Sequence, residues 1–204
     1  MHYADGSVSK LRIEGQLSFG SIPNVNNATA VEIGNTVTSI GSDVFSSCSS
    51  LTSVAIPDSV TSIGNQAFDS CLNLTSATIG NGVTSIPEYA FFNCLKLANL
   101  TIGSNVTSIG DYAFQFDEKL TTVVIPDSVT SIGKFAFGAC AGLESITIGN
   151  EVTNIGQGAL GGCFNLMEVT FSGKTMATVQ GMANHYWDLI PGCVIHCTDG
   201  DITL

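Results

Sequence analysis

The sequence predicts a repeat solenoid, a right-handed, curved stack of coils with a parallel β-sheet on its concave face and short helical turns on the convex side. Three observations predict it. Shifting the chain against itself by 23 residues aligns Leu51, Leu74, Leu97, Leu120, Leu143 and Leu166, and the other apolar columns fall in beside them. Turn-forming pairs recur at one place in the unit: Pro57-Asp58, Gly80-Asn81, Gly103-Ser104, Pro126-Asp127 and Gly149-Asn150. Charged residues make up only 11% of the 204, so the polar surface must come from Ser, Thr, Asn and Gly, as in a β-rich chain.

Residues 1–27 are expected to form an N-terminal cap. Tyr3 to Val8 read as a hairpin turn, Leu11 and Ile13 as an alternating strand, and Leu17, Ile22 and Val25 as a degenerate repeat. Six 23-residue units follow at 28–165. Leu51, Val54 and Ile56 have the L-x-x-L-x-L spacing of a leucine-rich repeat, with Val54 and Ile56 pointing inward along a short strand. The chain then crosses back through Val60-Thr61-Ser62-Ile63-Gly64 and makes a short helical turn at Ala67-Phe68. One unit cannot bury its own apolar face, so each coil must cover the next. The column Phe45, Phe68, Phe91, Phe114 and Phe137, closed by Leu160, is the largest item in that core, at about 1.5–3 kcal/mol per fully buried ring. Residues 166–204 hold a final strand and a C-terminal cap. The register is lost after Phe171, a helical stretch is expected near 175–186, and Val194 to Gly200 close the chain.

The charge balance excludes several partners. Seventeen acidic residues against six basic ones give −11, a field that repels nucleic acid and anionic membrane surfaces. No apolar run approaches the ~18 residues of a membrane-spanning helix, and residues 1–14 alternate where a signal peptide would be continuously apolar. The chain reads as soluble, without direct membrane insertion, and either cytoplasmic or already trimmed of an export signal.

Chemistry is sparse. Cys48, Cys71, Cys94, Cys140 and Cys163 are one repeat column, read as buried free thiols. Cys193, His196, Cys197 and His185 are the one local group of metal-ligand types, but no C-x-x-C pair is present and a strand turns His196 away from Cys197. Asp199-Gly200-Asp201 is a tight turn and lacks the other ligands of a calcium loop. All three histidines lie in the caps, far in sequence from the Ser and Thr ladders, so no nucleophile is paired with a base. The expectation is a protein without cofactor or metal, and not an enzyme.

The unit L-T-S-V-x-I-P-x-S-V-T-S-I-G-x-x-A-F-x-x-C, nearly intact at 51–71, resembles the BspA-type leucine-rich repeats, and the resemblance covers residues 28–172. The ending Ile195 to Asp201 is similar to the terminator of such proteins from gut bacteria. The resemblance implies a bacterial surface or secreted protein, some relatives of which are adhesins, and it implies no catalytic residues. The chain departs from the pattern at Pro87 for Gly, Asp117 for Cys and Leu160 for Phe. Asp117 sits at a tight position, where a carboxyl must accept backbone N–H bonds or reach solvent.

Two surfaces remain as candidates for a protein or glycan partner. The concave strands offer a small, uncharged face at Asn99, Thr101, Thr122 and Val124; β-propensity on an exposed strand explains these residues equally well. The second is an aromatic column, Tyr89, Tyr112 and Phe135, with Phe92 and Phe116 close by. Flanking units hold Asp43 or Val44, Gln66 and Gly158 there, so the enrichment is confined to the middle coils, as a binding stripe or as packing between coils. The function expected is a non-catalytic binding or adhesion module, extracellular or on the cell surface by the resemblance. The other reading is a structural spacer in a larger surface protein.

Overall fold

The computed structural model describes residues 8–15, 18, 28–182 and 191–204. The expected hairpin before Val8, most of the degenerate repeat, and His185 lie outside the described residues.

Short strands stack in parallel at the predicted period. Val8–Ile13, Ala28–Ile33, Ser53–Ile56, Ser76–Ile79 and Asn99–Thr101 form one five-stranded sheet, and Thr122–Val124, Ser145–Ile148, Glu168–Phe171, Val194–Cys197 and Gly200–Thr203 form another. Within them register follows the repeat, Val54 beside Ala77 and Ala77 beside Leu100. The strand Val194–Cys197 adds in parallel to Glu168–Phe171, so the sheet outlives the 23-residue register, and Gly200–Thr203 then folds back antiparallel. Alternation puts Val54, Ile56, Ala77 and Ile79 in the core and leaves Ala55 and Thr78 in solvent. Between Phe171 and Val194 lies the helix Met176–Met182, shorter at its described end than the 175–186 expected; residues 183–186 are outside the description.

A second ladder runs along the return stretch, where two-residue strands such as Ser108–Ile109 and Ser131–Ile132 pair. Gly64, Gly110, Gly133 and Gly156 each donate N–H to the isoleucine carbonyl one coil earlier, at 2.7–2.8 Å. Pro87 has no N–H to give. The ladder breaks there, and Ser62–Ile63 and Ser85–Ile86 fall into separate sheets. The wide sheet breaks elsewhere, between Asn99–Thr101 and Thr122–Val124.

The third side consists of turns, more compact than the helical turns the sequence suggests. Each is closed by an i to i+3 bond, as from Asp69 N–H to Gln66 O at 3.1 Å, and is bracketed by two left-handed residues, Gln66 (φ 58°) and Ser70 (φ 56°). A residue at positive φ ends helical propagation, so no coil grows a helix here. Phe45, Phe68, Phe91, Phe114 and Phe137 donate N–H to Ala67, Ala90, Ala113, Ala136 and Ala159 O of the next coil at 2.7–2.9 Å, a ladder with no interruption. Their rings are fully buried and stacked at 4.9, 4.9, 5.4 and 5.1 Å, as the column predicts, and Leu160 closes the column. Among the described residues, no helix is long and apolar enough to cross a membrane.

Candidate interaction surface

The nine candidate side chains divide between two faces. Asn99, Thr101, Thr122 and Val124 point outward from the concave strands and are exposed, Val124 at 65%. They lie on either side of the interruption in the wide sheet, so they do not form one continuous hydrogen-bonded platform. The five aromatics lie on the turns, across the core.

There the rings make one cluster. Tyr89 stacks on Tyr112 at 4.8 Å and 5°, and Tyr112 on Phe135 at 5.6 Å and 10°. Phe92 meets Tyr89 and Phe116 edge-on at 5.3 and 5.5 Å. Each stacked pair is worth about 0.5–1.5 kcal/mol beyond its burial, so these rings do pack between coils. None is fully buried: Tyr89, Phe92, Tyr112 and Phe135 are partly exposed and Phe116 is 39% exposed. In the Tyr89–Tyr112–Phe135 stack, neighbouring rings cover one another's faces. Burial, then Tyr112, Glu88 and Asp111, raises the Tyr89 phenol above its ordinary range, so it stays a neutral donor.

Tyr89, Tyr112 and Phe135 all have left-handed backbone, φ 58°, 59° and 49°. Asp43, Gln66 and Gly158 occupy the same place in flanking units at φ 59°, 58° and 64°. The backbone is therefore indifferent to the side chain. The stack ends at Gly158 for a steric reason, because a Cβ there would run into the Phe135 ring.

The cysteine column is a buried, hydrogen-bonded ladder in which burial raises the Cys94 and Cys140 thiols, whereas the hydrogen bond from Cys140 lowers Cys163. All seven cysteines are free, and the five column members are buried. Sγ of Cys71, Cys94, Cys140 and Cys163 donates to a phenylalanine carbonyl at 3.1–3.3 Å. Burial, then Cys71, pushes the Cys48 thiol up to about 12, far from the thiolate a nucleophile or metal ligand requires. His196 is held by Asp201 across the terminal hairpin at 2.9 Å.

Sequence reasoning passed over one surface. Phe164 (71% exposed) and Met167 (51%) flank Glu144 and Glu168 around a depression of about 460 Å³. Its signal was Phe164 itself, an aromatic in a column that otherwise holds Ser49, Leu72, Leu95, Glu118 and Ala141.

A family model described as BspA type leucine rich repeat region matches the chain in six copies, over residues 19–124 and 107–184. No curated protein matches it in sequence. Among solved structures, a leucine-rich repeat protein from Eubacterium ventriosum is similar over 98% of this chain and 50% of its own, at 22% identity and a TM-score of 0.72. The T. pallidum leucine rich repeat protein is similar over 92% of this chain and 94% of its own, at 25% identity and 0.65. A leucine-rich repeat protein from Bacteroides ovatus is similar over 80% of this chain and 55% of its own, at 25% identity and 0.51. The chain thus spans about half the length of the Eubacterium and Bacteroides proteins.

Proposed function

The chain belongs to the BspA-type leucine-rich-repeat family, and from that premise we propose that it is a non-catalytic interaction module, extracellular or on the cell surface, that presents its turn face to a protein partner. The observation carrying this reading is the aromatic cluster of the middle coils. The turn geometry is the same in units with and without aromatics, so local conformation does not select Tyr89, Tyr112 and Phe135. Partly exposed aromatics grouped this way are the usual anchors of protein interfaces. A protein suits them better than a glycan. A sugar ring stacks on an open aromatic face, whereas in the Tyr89–Tyr112–Phe135 stack neighbouring rings cover one another's faces. The four concave residues are assigned no part in this contact.

The second reading, a structural spacer, is favoured by the unbroken phenylalanine column and by the length of the larger relatives. A binding screen against extracellular proteins and glycans, run on the unaltered chain and on Tyr89→Ser/Tyr112→Ser, separates the two. The interaction reading expects a protein ligand whose affinity falls about 30-fold or more, the loss of one ~2 kcal/mol hot spot. Capture of no ligand, or equal affinity in both chains while both are folded, leaves the spacer.

A further inference from the structure

In four coils a column thiol donates to the carbonyl of the phenylalanine 26 residues earlier: Cys71 to Phe45, Cys94 to Phe68, Cys140 to Phe114 and Cys163 to Phe137. Asp117 stands in the same column, where this relation points to the carbonyl of Phe91. Its Oδ1 accepts the Cys94 N–H at 2.8 Å. Its Oδ2 is buried and has no partner as an acceptor. The Cys94 N–H meets Asp117 as the Cys71, Asp117 and Cys140 N–H groups meet the column thiol of the coil that follows each of them. The relation that holds for the four thiols thus assigns the Phe91 carbonyl as the neighbour of this buried, unpartnered oxygen. Only a proton between them makes that arrangement favourable.

We propose that Asp117 is a proton-binding site, its carboxyl neutral in the folded chain with Oδ2–H donating to the Phe91 carbonyl, and that loss of this proton loosens the middle of the coil stack. The titratable groups acting on Asp117 along its column are thiols, Cys94 one coil and Cys71 two coils before it and Cys140 one coil after it. No ion pair reaches it among the described residues. Burial pushes the carboxyl well above its usual range, and the Cys94 N–H offsets this only in part. The same burial raises the Cys94 and Cys140 thiols, so they remain neutral alongside it. Three residues after Asp117 comes Leu120, whose N–H bonds to the Asp117 carbonyl, and then the strand Thr122–Val124, which lacks a partner in the preceding coil. The site thus sits beside the interruption in the wide sheet.

The pH dependence has a definite sign. An aspartate in the unfolded chain titrates near ~3.9. Below that, both states hold the proton and the fold has its full stability from this group. As pH rises above it, the unfolded chain releases the proton while the folded chain keeps it. The folding equilibrium constant then falls by up to about tenfold per pH unit, until the folded group ionises as well. This is the reverse of a carboxylate held in an ion pair.

The test is urea unfolding of the full chain under reducing conditions from pH 5 to 8, beside Asp117→Asn. The asparagine keeps an Oδ1 for Cys94 and supplies an N–H to Phe91. The ratio of folding equilibrium constants, variant over unaltered chain, is expected to rise with pH, by tenfold or more across the range; Asp117→Cys, which restores the column, should behave likewise. Infrared spectra of the unaltered chain at pH 7 should retain a neutral-carboxyl band that both variants lack. A ratio that does not change with pH, or the absence of that band, overturns the proposal. The spectrum of the unaltered chain decides the matter even if neither variant folds.

Discussion

Pro87 and Asp117 both depart from their columns in the middle coils, and the molecule absorbs them in different ways. Pro87 lies at the coil surface and removes one N–H. The return ladder breaks at that junction, yet Ser53–Ile56 still pairs with Ser76–Ile79, and Phe68 still bonds to Ala90. Asp117 lies in the core and adds a polar group where the column has a thiol. There the Cys94 N–H of the neighbouring coil meets one carboxyl oxygen, and the other oxygen still requires a proton. At the surface each junction has three ladders and can lose one. In the core each buried group must be satisfied where it stands.

The contrast can be broken or sharpened by substitution. The largest effect is expected at Phe91, stacked between Phe68 and Phe114; Phe91→Ala should cost about 3–5 kcal/mol in urea unfolding, because stacked coils cannot close over the space left behind. Asp117→Ala comes next, about 1–3 kcal/mol, since it leaves the Cys94 N–H buried without an acceptor. The notional repair, Asp117→Cys, should be neutral or stabilising by up to ~1 kcal/mol at neutral pH. Tyr89→Ser/Tyr112→Ser should cost about 1–3 kcal/mol, the contribution of its two stacked pairs, and so less than the single core ring. The smallest effect belongs to Pro87→Gly. A regained hydrogen bond of about 1 kcal/mol is offset by about as much added freedom in the unfolded chain, so stability should stay within roughly 0.5 kcal/mol. Hydrogen exchange would still register the repair as new protection at residue 87. If Pro87→Gly stabilised the chain as much as Asp117→Ala destabilised it, the distinction between surface and core would fail.

The sequence was most legible where one physical requirement repeats. Phe45 to Phe137 had to be buried and stacked because no single unit can cover a phenylalanine. Pro87 and Asp117 were visible as departures, and a backbone bond to the buried Asp117 was foreseeable from the cost of burying a carboxyl alone. The details were not legible. That the Cys94 N–H would supply that bond depends on positions of atoms, not on spacing. The strand Val194–Cys197 rejoins the sheet after an insertion that destroys the period, so periodicity was silent there. The turns proved too tight for helix because Gln66 and Ser70, ordinary residues in sequence, take left-handed backbone. The aromatic column was read correctly as a cluster, but the sequence could not say that its ring faces would be turned toward one another.

Among the described residues, ten that are not glycine hold positive φ, and they fall into two columns, one through Asp43, Gln66, Tyr89, Tyr112 and Phe135, the other through Ser47, Ser70, Asn93, Phe116 and Ala139. Each bears a conformational cost of about 1–2 kcal/mol that inter-coil bonding imposes whatever the side chain. Mutational drift at these positions therefore alters surface chemistry while the coil keeps its shape. A lineage can exchange acid for amide or aromatic there in one step and still fold. The same two columns are where a designer could write a new binding specificity onto this scaffold, one coil at a time.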